Sequence, residues 1–296
     1  MPMIAGVVLL ILTGFCWIGI AAVVEKAARK HLDLDFIQFA SSALIALAAG
    51  GAMLFHPPLT GPWKQQVLIC GFVFLAGCFN FLMLKLMRCA MRHGNCGAVW
   101  GIAQSAMICP FIMGMLLFQV KPTITRLLGI MLVLTGILLF SRRRSEQRRG
   151  GSFRWLLPAF GAFAASGVAQ CFANLPSYWR ECAMSSEWRA CLVQLGTIAA
   201  FGTELPFRRE RVRPEGTRNA VFLLAAVQIL TLFFFFYRGL NLVAEHRCGS
   251  IGYPVAQGCS IVGFLLFGIL ARRERGSILL FTAAAAVCCG ILLLVL

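Results

Sequence analysis

Charge, and negative charge above all, is what this chain has least of. Charged residues make up 13% of its 296 positions and hydrophobic residues 59%, where an average soluble protein carries about 25% charged. A water-soluble globule is excluded. Only 11 residues are Asp or Glu, and none lies near the middle of an apolar run. Glu25, Glu204 and Glu274 sit at run ends, Glu204 beside Arg208 and Arg209, and Asp33 and Asp35 sit in a connection. Missing, therefore, is the buried acid with which a small drug exporter alternates a proton and a cation. Missing too are the paired aspartates of an intramembrane protease, and no Ser–His dyad or His-Glu metal motif replaces them. No enzyme is expected. The four histidines, His31, His56, His93 and His246, stand far apart without ligand spacing, and the 13 cysteines form no Cys-x-x-Cys pair. No metal and no cofactor is expected, and the cysteines read as small buried hydrophobes. No basic segment precedes the first apolar run, which is expected to be a span rather than a cleaved signal peptide.

Long apolar runs are what the chain does have. Measured against the roughly 20 residues that a helix needs to cross a bilayer, ten stretches qualify: 3–23, 36–55, 66–87, 97–118, 123–141, 153–174, 188–206, 219–239, 248–270 and 277–296. The connections are too short for a folded domain. The expected fold class is an all-α membrane protein of ten transmembrane helices. The 27 Lys and Arg residues fall between the stretches, which matches the positive-inside pattern and contact with anionic lipid headgroups. Nucleic acid is not an expected partner. Most of the basic residues follow odd-numbered stretches, including Lys26 to Lys30, Lys85 to Arg92, the dense run Arg142, Arg143, Arg144, Arg148 and Arg149, then Arg208 to Arg218 and Arg272 to Arg275. Connections on the other side hold a minority, among them Lys64, Lys121, Arg126, Arg180, Arg189, Arg238 and Arg247. On this distribution the arginine-rich side is cytoplasmic and faces the anionic headgroups, and both termini lie outside a multi-pass inner membrane protein.

Within these stretches one segment returns. Trp100-Gly-Ile-Ala-Gln104-Ser is echoed by Tyr253-Pro-Val-Ala-Gln257-Gly, with Gly97 against Ser250, Ile108 against Ile261 and Phe111 against Phe264 at the same offset. The fifth and tenth stretches both close on Gly-Ile-Leu-Leu, at Gly136 and Gly290. The expected organisation is a first five-span repeat over 1–145, an arginine-rich hinge over 146–151, and a second repeat over 152–296. Five is odd, so the second repeat enters the membrane inverted, the architecture of secondary transporters with a site near the midplane.

With ten stretches, a five-plus-five repeat and the Gly-Ile-Leu-Leu endings, the chain resembles the drug/metabolite transporter superfamily in its EamA-like and sugar-permease-like branches. Phe15-Cys-Trp17-Ile-Gly19 is similar to that family's first span, Tyr237-Arg-Gly-Leu240 to the close of its eighth, Pro110 to the proline of its fourth, and Tyr253 to Gly258 to its ninth. The family's Gly-Glu pair after the fourth and ninth spans is met only in part, by Glu274 in the second half against Val120-Lys121 in the first. The resemblance implies a cavity drawn from the first, third, fourth, sixth, eighth and ninth spans, and termini on the cytoplasmic side, opposite to the charge distribution.

Inside the runs, the polar groups are amides and aromatic rings. Amides donate and accept, and rings cover the faces of sugars or heterocycles, so the expected site comprises Trp17, Asn80, Trp100, Gln104, Gln170, Tyr237, Tyr253 and Gln257. In each copy of the repeated segment the ring and the glutamine are four residues apart, on one helical face. Gln38, Gln194 and Gln228 read as interhelical glue, and Gly50-Gly51, Gly97-x-x-x-Gly101 and Gly263 with Gly268 as close helix contacts. Pro110 and Pro254 are expected to kink their helices. The function expected is secondary transport of a small polar solute, neutral or zwitterionic, by a monomer or homodimer. A non-transporting membrane scaffold or accessory subunit that interacts with lipid is the alternative.

Overall fold

The computed structural model describes residues 2–30, 32–55, 59, 61–93, 96–119, 123–145, 153–179, 184–205, 216–246, 248–272 and 278–296. These residues form helices and no strand. Helices α1 (Pro2–Arg29), α2 (Leu34–Met53) and α3 (Trp63–His93) occupy the first three apolar stretches. The fourth is divided into α4 (Cys96–Gln104) and α5 (Ile108–Leu117), and the fifth is α6 (Ile124–Ser145). Then come α7 (Leu156–Tyr178), α8 (Ser186–Gly202), α9 (Thr217–Ile229), α10 (Tyr237–Glu245), α11 (Gly252–Arg272) and α12 (Ile278–Val295). Among the described residues, five segments are long and apolar enough to cross a membrane: Pro2–Val24, Leu34–Met53, Trp63–Arg92, Leu156–Tyr178 and Thr217–Glu245. Shorter apolar helices run over Gly101–Leu117, Ile124–Leu139 and Phe281–Val295. The hinge at 146–151, Val120-Lys121, Arg208, Arg209 and Glu274 lie outside the described residues.

Local chemistry sets the helix ends and breaks. Asp33 caps α2 by accepting from the N–H groups of Asp35 and Phe36, both at 3.1 Å, and the Ser185 hydroxyl caps α8 by accepting from the Trp188 N–H at 3.4 Å. Between α4 and α5 the chain tightens into a 3-10 turn over Ser105–Met107. Pro110 is the cause, since it has no N–H and its ring pushes away the carbonyl of Ala106 one turn back. Pro254 does not act in the same way, contrary to the expectation from sequence. It falls in the first turn of α11, where the N–H groups have no partners within the helix, so no bond is lost and no kink follows. The eighth stretch carries a different irregularity, a π-helical segment over Leu230–Phe236 between α9 and α10.

The most extensive packing joins the two halves of the chain. Helix α6 lies against α12, α3 against α7 and α8, α2 against α8 and α9, and α1 against α9, α10 and α11. Glycines bring two of these seams to backbone contact. A Cβ on Gly77 of α3 would collide with the Val193 carbonyl of α8, and one on Gly196 of α8 would collide with the Phe74 carbonyl of α3. The Thr197 hydroxyl donates to the Gly77 carbonyl at 3.2 Å, and the Cys78 thiol to the Gly196 carbonyl at 3.3 Å. On the α6–α12 seam a Cβ on Gly290 would stand 2.7 Å from the Gly129 carbonyl. Gly50 and Gly51, expected at a close contact, have nothing within 4 Å of such a Cβ. Gly263 does meet α1, at Phe15 and Ile18, and the surroundings of Gly97 and Gly268 lie outside the described residues.

Ion pairs sit at helix ends. Lys85 of α3 pairs with Glu204 beyond α8, and Arg88 with Asp35. Glu204 thus has a partner on another helix. With Lys85 more than half exposed, the pair contributes little to stability.

Candidate functional site

Aromatic residues from three helices meet at Phe236, the last residue of the π-helical segment. Trp17 of α1 tilts against it at 5.5 Å between ring centroids, Tyr237 lies at 5.2 Å, and Tyr253 of α11 meets it edge-on at 5.1 Å. Phe236 and Tyr237, adjacent in sequence, are both buried. A π turn carries an extra residue per turn and recurs at functional sites. Three of the four aromatic residues expected at the site are therefore gathered around a phenylalanine that sequence reading did not single out. The fourth, Trp100, has a helical backbone, and its side chain lies outside the described residues.

The amides divide. Gln257, one turn beyond Tyr253 on α11, is 4% exposed and its Oε1 has no hydrogen-bond partner. Gln170 of α7 is buried, donates from Nε2 to the Ser166 hydroxyl at 2.9 Å, and likewise leaves Oε1 unpaired. A buried amide oxygen without a donor costs about 1–3 kcal/mol, so these groups are a standing expense to the fold. Gln104 ends α4, half-buried, and the 3-10 turn that follows it touches α11. Among the described residues no hydrogen bond joins Gln104 to Gln257. Asn80 of α3 is half-buried. Gln194 and Gln228, read as glue, also leave Oε1 without a partner.

The most buried charge among the described residues is one that the sequence reading counted among the connections. Arg189, one turn into α8, has 0% of its surface exposed. Its Nη1 donates to the Ser177 hydroxyl and its Nη2 to the Asn241 Oδ1, both at 2.9 Å, so that one guanidinium ties α8 to α7 and α10. The guanidinium also lies over the Tyr237 ring, 4.9 Å from its centroid, a cation–π contact of about 2 kcal/mol when desolvated. Nε is buried with no partner. Among the described residues the ion pairs are Lys85–Glu204, Arg88–Asp35 and Arg238–Glu187, the last at 4.0 Å, and Arg189 belongs to none of them. The signal that would have found it is the cap. Ser185 starts the helix ahead of the apolar run, which puts Arg189 a turn inside it rather than at its edge.

A pocket of about 270 Å³ opens at the other end of the bundle, between α1 and α9, with Lys26, Lys30 and Asn219 on its walls. None of the eight expected site residues lines it, and it holds none of the unpaired buried polar atoms. The aromatic and amide cluster beside Arg189 is the better candidate.

Against known proteins the chain matches no family model and no curated protein. A solved crystal structure of a protein superposes on 98% of this chain and 96% of its own with a TM-score of 0.69, at 15% sequence identity. At that identity the likeness establishes a shared fold over essentially the whole chain.

Proposed function

We propose that this protein is a secondary transporter of the drug/metabolite class, carrying a small polar solute across the inner membrane by alternating access. In this reading ten helical segments span the bilayer as two inverted repeats of five. The observation that carries it is a set of reciprocal contacts between α6 and α12. A Cβ on Gly136 would meet the Val287 side chain and amide and the Ala283 carbonyl, while one on Gly290 would meet the Val133 side chain and amide and the Gly129 carbonyl. The register shift that takes Gly136 to Gly290 takes Val133 to Val287 and Gly129 to Ala283, so the two sets are images of one another. The same exchange of halves turns the α3–α7 contact into that of α1 with α9 and α10, and the α1–α11 contact into that of α7 with α4 and α5. A two-fold operation relating halves with an odd number of spans inverts one relative to the other. The gathered rings, with the unpaired Gln257 amide oxygen one turn from Tyr253, supply groups that a polar solute would satisfy.

Counterflow in proteoliposomes tests this. Preloading with members of a broad panel of polar metabolites is expected to drive uptake of the labelled counterpart, and a complete absence of flux favours the rival, a lipid-interacting scaffold in which the amides only hold helices together. Orientation is a separate expectation, set by the arginine-rich side. A reporter active only in the cytoplasm should be active when inserted after Ser145 and silent when fused after Leu296. The opposite pattern would reverse the orientation and leave the repeat intact.

A further inference from the structure

The structure assigns to Arg189 the role of anchor for a carboxylate on the transported solute, an inference that rests on the transporter reading above and narrows its solute to one bearing a single organic anion. A fully buried guanidinium is costly, because each ion removed from water carries a penalty of several kcal/mol unless a counter-charge or a full set of hydrogen bonds meets it. Arg189 is met by two neutral oxygens and a ring face, with Nε left over. It stands where Tyr237 adjoins Phe236, and through Phe236 the cluster of Trp17 and Tyr253. The guanidinium fork matches a carboxylate in shape and charge. One buried cation balances one negative charge, which favours a monocarboxylate over a phosphate dianion. Because no part of Arg189 reaches the surface, the solute gains access only when helices part, as alternating access requires.

The contact between α7 and α10 does not depend on Arg189. Ser177 donates directly to the Asn241 Oδ1 at 3.0 Å, so these two remain paired when the guanidinium is gone. Arg189→Met, which fills similar volume without charge, is therefore expected to fold with an unchanged or raised melting temperature. A structural arginine would behave in the opposite way.

The test is ligand-induced thermal stabilisation of the purified full chain in detergent. The probes are small aliphatic, hydroxy and aromatic monocarboxylates, each paired with its own carboxamide, and inorganic phosphate. The wild type is expected to bind at least one carboxylate about ten- to a hundred-fold more tightly than its carboxamide. Arg189→Met should bind the two members of the pair equally, and Arg189→Lys should keep part of the preference. Equal binding of acid and amide by the wild type overturns the inference and leaves the transporter reading standing. Preference retained in Arg189→Met overturns it too, as does phosphate binding more tightly than any carboxylate. Counterflow of neutral solutes without any carboxylate binding removes this inference alone, whereas silence in both assays removes it together with the transporter reading. Should Arg189→Met fail to fold, the acid–amide comparison in the wild type and in Arg189→Lys still decides.

Discussion

Gly196→Val is expected to yield no correctly assembled protein. At this position α8 lies against α3 with backbone touching backbone, and a side chain would be driven into the Phe74 carbonyl. Carbonyls cannot rotate away as a flexible side chain can, so the helices must separate. Separation would break the thiol and hydroxyl bonds that Cys78 and Thr197 make across the seam. Overpacking typically costs about 1–3 kcal/mol, and a clash against main chain lies above that range. Gly77→Val, which would strike the Val193 carbonyl from the other side, should be equally damaging. Gly50→Val serves as the control. Open space surrounds that position, and its cost should stay within about 1 kcal/mol, the scale of intrinsic helix preference. Size-exclusion profiles of the three detergent extracts decide the matter. A monodisperse Gly196→Val with a wild-type melting temperature would mean that the seam is looser than the structure has it.

Gln257→Leu should stop transport while the protein becomes no less stable. Its Oε1 is buried without a donor, so leucine, of comparable size, removes an unpaired acceptor and is expected to raise stability by about 1 kcal/mol. If the protein is the transporter proposed, uptake should fall to the background of empty liposomes, because the amide stands one turn from Tyr253 on the same face of α11. The opposed signs are what make the test informative. A glutamine acting as interhelical glue would lose stability on replacement and leave flux in proportion to folded protein. Gln104→Leu is expected to have the same effect on uptake, and wild-type uptake by both variants would reassign the repeated ring-and-amide segment to packing.

Much of this was legible from the chain itself. Apolar run length placed a helix on every stretch where one is found. The break before Pro110 followed from a missing N–H. Composition could not reveal which glycines matter, since Gly50-Gly51 and Gly77 look alike until a facing helix is known. Arg189 was hidden for a related reason. Basic residues at the edge of an apolar run usually reach toward the interface, and only the partners supplied by Ser177 and Asn241, distant in sequence, hold this one inside. The π-helical segment left no trace in a run of Leu, Thr and Phe, because nothing in those residues distinguishes a five-residue hydrogen bond from a four-residue one. Phe236, the hub of the aromatic cluster, went unnoticed with it.

The seam between α6 and α12 has a consequence for how the molecule is made. Helix α6 is translated well before α12, yet their glycines touch. At ribosomal speeds of about 5–20 residues per second, α6 waits roughly 7–30 s with its small-residue face uncovered and open to any passing helix. Helices α1, α2 and α3 wait as well, since their principal neighbours are encoded downstream. A nascent chain stalled before α7 would therefore offer every one of those faces to quality-control proteases, because the helices that cover them are not yet made.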